Sequence, residues 1–133
     1  MATGRRVFQL KTFSRWAKGV LTREQLCTVA REVFDGRYEA DLGAGLCKKR
    51  IAAGGQGKSG AARTLIARKY QDAVFFVAGR EKSDPGTDFS EKQVEAAKLV
   101  AKGLQAANEE MLKRLLAAGT IQEICNDTPT PQE

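Results

Sequence analysis

Nine cations lie between Lys48 and Lys82: Lys48, Lys49, Arg50, Lys58, Arg63, Arg68, Lys69, Arg80 and Lys82. Only Asp72 and Glu81 oppose them, so this stretch carries +7, the chain +6 and everything outside the stretch −1. Charge confined to one segment marks a surface built for a polyanion rather than a general solubility bias. Within it, Arg63 to Tyr70 and Ala73 to Lys82 read as two strands around a tight turn at Gln71-Asp72. If Tyr70 pairs with Ala73, counting outward sets Arg63 opposite Arg80. Facing like charges destabilise a sheet, and a phosphate between them converts the repulsion into charge-assisted binding. A slip of one residue would send the two side chains to opposite faces. Lys82 shares a face with Arg80, and Lys48 and Arg50 share one face of the preceding strand. If that strand neighbours the hairpin, four or five cations gather.

Such a cluster can cleave RNA without histidine, which the chain lacks altogether. The ribose 2′-OH is the nucleophile; the protein must align it, neutralise the phosphorane and move protons. Arginine forks match phosphate oxygens and stay charged. A lysine crowded by cations has its neutral form favoured, which makes Lys48 or Lys82 a candidate general base. The absence of histidine also excludes Ser-His-Asp and Cys-His chemistry and the commonest metal ligand. No carboxylate cluster accompanies the basic face, so no metal or other cofactor is expected. Gly54-Gly55-Gln56-Gly57-Lys58-Ser59 is not a Walker A motif: Ala52 stands where its first glycine is needed, and a strand, not a helix, follows.

The elements that must position these residues are legible in order. Val7 to Leu10 is a short strand, and Phe13, Trp16 and Ala17 lie at helical spacing before Gly19. Thr22 and Gln25 form a capping box, with Leu21 stapled to Leu26; Leu26, Val29, Ala30, Val33 and Phe34 then line one apolar face up to Asp35-Gly36. From Tyr38 the chain is extended and glycine-punctuated, firming into a strand from Leu46 to Ile51. Val74 to Val77 is the most apolar run and predicts a central strand covered on both faces. Ser90 and Gln93 repeat the capping box, with Phe89 stapled to Val94, and Asn108 caps a third helix that ends at Gly119. Ile121 to Cys125 reads as an edge strand.

The order of elements, with Gly60-Ala61-Ala62-Arg63 on one strand and Gly79-Arg80-Glu81-Lys82-Ser83 closing the next, resembles the RelE/HigB/ParE superfamily of bacterial toxins over roughly residues 6 to 125. The glycine turn with Gly57-Lys58-Ser59-Gly60 is similar to one subgroup of HigB-like toxins. In the RelE branch the resemblance implies ribosome-dependent mRNA cleavage at the decoding site, blocked by an acidic, partly disordered antitoxin. By position, Arg63 and Arg80 hold the scissile phosphate and Lys48 and Arg50 are the paired basic residues of the preceding strand; Lys49, Lys58 and Lys82 add RNA contacts. Two departures stand out. Asp84, Pro85 and Gly86 occupy the region where relatives place a stacking tyrosine, leaving Phe89 as the nearest aromatic, and Ala62 replaces a common aromatic.

The expected protein is therefore one α+β domain over residues 1–125 with a disordered tail over 126–133. Two N-terminal helices pack on a small, mostly antiparallel sheet, and a C-terminal helical pair closes one edge. Its expected place is the cytoplasm, with no membrane partner, and its partners are a cognate antitoxin, mRNA and the ribosome. The alternatives are a ParE-like inhibitor of DNA gyrase and a degenerate relative that only binds its antitoxin or nucleic acid. Cys27, Cys47 and Cys125, odd in number and widely spaced, are expected to be reduced.

Overall fold

A computed structural model describes residues 5–52, 61–69, 72–81 and 88–125. The expected glycine turn with Lys58, the turn residues Tyr70 and Gln71, Lys82 and the C-terminal tail lie outside them. The element order is β1 (Arg6–Leu10), α1 (Lys11–Ala17), α2 (Arg23–Phe34), β2 (Ala40–Gly43), β3 (Leu46–Ala52), β4 (Ala61–Lys69), β5 (Ala73–Glu81), α3 (Glu91–Ala106), α4 (Glu109–Ala117) and β6 (Ile121–Ile124). Among the described residues no helix is long and apolar enough to cross a membrane.

The six strands form one sheet in the order β2-β3-β4-β5-β1-β6, antiparallel except where β1 runs parallel to β5. This is the expected α+β architecture. Ile121 to Ile124 forms an edge strand as expected. The other edge, β2, was only an extended segment to sequence reasoning. It turns into β3 through Ala44 and Gly45, both at positive φ, the conformation a two-residue hairpin needs.

Both sheet faces are covered. Phe13, Ala17, Leu26, Val29, Ala30 and Val33 of α1 and α2 pack on Cys47, Ile51, Ala62, Ile66, Val74 and Phe76. On the opposite face, Ala97, Ala101, Leu104 and Leu112 of α3 and α4 pack on Phe8, Leu46, Leu65, Ala67 and Phe75. The C-terminal pair thus covers a face rather than closing an edge. The alternation of Leu46, Leu65, Phe8 and Phe75 against the first face's residues demands such a cover, because apolar side chains alternate across each strand. β5 is buried from Ala73 to Val77, and Phe75 and Phe76 stack on Phe8 and Phe13 from opposite sides.

All three predicted helix starts are present. Thr22 and Ser90 accept the N–H groups of Gln25 and Gln93, whose side chains accept in return from the cap backbones. Asn108 accepts from Met111 N–H at 2.9 Å. Gly79 has a packing reason: a Cβ there would meet the Trp16 ring at 2.1 Å, so α1 lies against β5 only because the residue before Arg80 has no side chain. Gly79→Ala should displace Trp16 and destabilise the fold by about 1–3 kcal/mol. Trp16 is the only tryptophan, so its fluorescence should shift to the red in that variant.

The cysteines differ from expectation. Cys27 of α2 and Cys125 after β6 form a disulfide across 98 residues of sequence, and Cys47 alone is free. Spacing could not show the pairing, because it depends on β6 ending beside α2. Closing so long a loop restricts the unfolded chain and stabilises the fold by about 2–4 kcal/mol. Burial pushes the Cys47 thiol up to about 12, although the Arg68 guanidinium works in the opposite direction, which leaves it protonated and shielded. Iodoacetamide should therefore label no cysteine in the native protein, one after unfolding and three after unfolding with reductant, counted by intact mass.

Candidate nucleic-acid interface

β3, β4 and β5 bring three arginines into one cross-strand row. Arg50 pairs with Arg63, and Arg63 with Arg80. Directly opposed residues share a sheet face with Cβ atoms about 5 Å apart, so the row spans roughly 10 Å. Lys48, two residues before Arg50, lies on the same face, beside Leu65 and Ala78. This is the face of α3 and α4, at the end of the sheet where the segment entering α3 arrives. The row runs from exposed Arg50 through half-buried Arg63 to Arg80, only 8% exposed.

The predicted opposition of Arg63 and Arg80 is present, but by a different route. Near the turn Lys69, not Tyr70, pairs with Ala73, one step out of the expected register. The ladder then shifts between Leu65, opposite Ala78, and Ile66, opposite Phe76. Val77 is the extra residue of a β-bulge. Without it, the turn's register would set Arg63 against Gly79 and Arg80 against Ala62, which is buried in the α1/α2 core. A bulge that re-aims a side chain beside a site is a known use of this irregularity.

Asp88, in the segment leading to α3, completes the site. Its carboxylate pairs with Lys48 Nζ and accepts Phe89 N–H at 2.7 Å, while its backbone carbonyl accepts Arg80 Nη1 at 2.7 Å. Burial would raise the Asp88 carboxyl, but the Lys48 and Phe89 hydrogen bonds and the charges of Lys48 and Arg63 together hold it below the usual carboxylate range. Lys48 is therefore not crowded by cations alone, as the general-base argument assumed; its Nζ already donates to a carboxylate. Sequence reasoning missed Asp88. It lies 40 residues from Lys48, and the only local signal was its place just before the Phe89 and Ser90 start of α3.

Among the described residues, the segment's other three cations serve the scaffold. Lys49 points to the opposite face and meets Glu32 of α2 at 3.0 Å. Arg68 lies 4.8 Å over the Tyr38 ring and 3.5 Å from Asp41, which occupies Tyr38 away from the row. Lys69 donates to the carbonyls of Gln105, at 3.1 Å, and Ala107 at the C-terminal end of α3, where a helix favours positive charge. Phe89 packs on the α3/α4 core as the staple of α3. The row is thus a set of phosphate-matched donors with no aromatic platform from Tyr38 or Phe89. Among the described residues no three cysteine or carboxylate groups gather as metal ligands.

No curated protein matches the chain closely enough to add to this picture. The model of the RelE toxin of the RelE/RelB toxin–antitoxin system matches residues 5–124, nearly the whole of the described fold. With the family's extent and the α+β sheet in agreement, the chain belongs to the RelE toxin family, as the toxin member of a toxin–antitoxin pair whose implied partner is an antitoxin.

Proposed function

We propose that the protein is a metal-independent endoribonuclease that cleaves mRNA on the ribosome and so inhibits translation. The observation that carries this reading is the row Arg50–Arg63–Arg80 with Lys48 beside it. Three arginines side by side destabilise the sheet they stand on, and a phosphodiester seated along them recovers that energy.

In this reaction the ribose 2′-hydroxyl gives its proton to water, its oxygen attacks phosphorus, and the bond to the 5′-oxygen breaks as that oxygen takes up a proton. The products are a 2′,3′-cyclic phosphate and a 5′-hydroxyl. Arg63 and Arg80 hold the non-bridging oxygens and neutralise the charge that develops on them, and Arg50 binds the neighbouring phosphate at the exposed end. Lys48 enters as an ammonium donor, because its Nζ already donates to Asp88. It therefore suits the departing 5′-oxygen better than the attacking hydroxyl. Lys58 and Lys82 extend the RNA track in this reading, whereas Lys49, turned to α2 and Glu32, supports the strand from behind.

Arg63 is the informative position, because Arg80 also anchors the Asp88 carbonyl and its loss would disturb the fold. After brief induction without antitoxin, mapping of RNA 5′ ends should show new ends at in-frame codon positions of translated messages. Arg63→Ala should lower their yield by about a hundredfold or more, the usual loss when one transition-state donor is removed. Cleavage in a purified translation system should persist when a transition-metal chelator is added after complex assembly, and should not rise with magnesium above the level that preserves the ribosomes. Growth arrest with intact messages would transfer the protein to the gyrase-inhibiting type, and no arrest would leave it a binding protein.

The same row predicts electrostatic binding. Affinity for single-stranded RNA should fall steeply with salt, with a log–log slope of about −0.7 for each phosphate neutralised. Arg50→Ala should flatten that slope by about one such unit, measured by fluorescence anisotropy across a salt series. A salt-independent complex would place the RNA elsewhere.

A further inference from the structure

The carboxylate of Asp88 stands where the row's positive charges converge. Lys48 from β3 pairs with it, Arg80 from β5 holds its backbone carbonyl at 2.7 Å, and the charge of Arg63 from β4, between them, acts on it. Lys48 meets the carboxylate itself, Arg80 the backbone carbonyl of the same residue, and the nearby Arg63 adds its charge, a setting a phosphate oxygen at that place would also find. Fold stability does not account for the arrangement. The side chains of Lys48 and Asp88 are 26% and 38% exposed, and an ion pair so open to water stabilises a fold little. The backbone of Asp88 is fixed independently, by Arg80 at its carbonyl and by the capping box that begins at Ser90. Its carboxylate can therefore leave Lys48 by side-chain rotation without moving α3.

We propose that Asp88 is an internal counter-anion of the phosphate site, holding Lys48 until a phosphate of single-stranded RNA takes its place. The inference rests on the phosphodiester reading above and deepens it, assigning a specificity-determining role to a residue outside the cation set. A ligand must displace one resident negative charge to reach Lys48. An isolated anion has only that contact to gain, whereas an RNA strand also places neighbouring phosphates on Arg50 and Arg63. Asp88 therefore selects for a strand over free phosphate or a mononucleotide. In this role the carboxylate takes no proton from the substrate and forms no bond to it.

The test is equilibrium binding of a short, labelled 2′-O-methyl RNA, which cannot undergo 2′-OH attack, to the full chain. Wild type, Asp88→Asn, Asp88→Ser and Arg63→Ala are compared over a salt series. Asparagine and serine both keep an acceptor for Phe89 N–H and leave the Arg80 contact to the backbone, and thermal unfolding checks each variant's fold. Both Asp88 variants should bind about tenfold more tightly at low salt, with a log–log slope steeper by about 0.7. Inorganic phosphate should also compete with the RNA at lower concentration in the variants than in wild type. Binding seen only in the Asp88 variants would support the proposal equally. Unchanged or weaker binding in both variants, with Arg63→Ala still defective, would overturn the counter-anion and leave the phosphate row standing. Arg63→Ala binding like wild type, or no binding by any form, would overturn both.

Discussion

Val77 is the residue on which the site's geometry turns. Side chains alternate across a strand, so the face on which Arg80 emerges depends on the count of residues between the hairpin turn and position 80. The turn sets Lys69 against Ala73, a register that would drive Arg80 into the core under α1 and α2. One unpaired residue in β5 restores the parity. Upstream of the bulge β5 is fully buried and anchors both aromatic stacks; beyond it the same strand presents a guanidinium next to Arg63. The apolar run and Arg80 are thus fixed by different registers of one strand. Gly79, between the bulge and Arg80, admits the Trp16 ring on the opposite face and lets α1 support the strand beside Arg80.

A basic segment of this density needs sorting, since a sheet cannot hold so many cations on one surface without losing stability. Pleating does most of it. Lys49 and Arg68 turn to the α2 side, where Glu32 and Asp41 meet them. Lys69 sits at the end of α3, where the Gln105 and Ala107 carbonyls accept its hydrogen bonds. What remains on the α3 face among the described residues is Lys48 with the three-arginine row, and Asp88 partly neutralises it. The local charge excess read from the sequence is therefore real, but among its described cations Lys49, Arg68 and Lys69 hold the scaffold together rather than join the row, which composition alone cannot distinguish.

Features governed by near neighbours were legible in the sequence. Thr22, Ser90 and Asn108 signal their helices because a cap is satisfied within three residues, and the Val74 to Val77 run marks the central strand because burial on both faces leaves no polar position. The opposition of Arg63 and Arg80 was reached through a register that fails near the turn; the assumed Tyr70–Ala73 pairing and the unseen Val77 bulge offset each other by one residue each. Long-range contacts were not legible. The Cys27–Cys125 bond and the Lys48–Asp88 pair join residues 98 and 40 positions apart, and each depends on where a later element docks. The position of the C-terminal helices failed for the same reason. Their apolar stripes were visible, but whether a stripe meets a face or an edge is set by the apolar Phe8, Leu46, Leu65 and Phe75 side of the sheet, which only the strand order defines.

That docking links the scaffold to the site. α3 is fastened to the basic strands at both ends. At its C-terminal end Lys69 takes its carbonyls, and Gln105 reaches the carbonyls of Ala44 and Arg68 at 3.0 and 2.9 Å. Gly45 is required there, because a Cβ would fall 1.4 Å from the Gln105 amide nitrogen. At its N-terminal end Asp88 ties the approach to Lys48 and Arg80. A helix anchored at one end only would let Asp88 drift from the row; anchored at both, it delivers one carboxylate and the positive end of a helix dipole to a fixed place beside three arginines. The proposed phosphate site is accordingly a joint product of three strands and the start of one helix. Its electrostatics depend on the seating of α3 as much as on the arginines themselves.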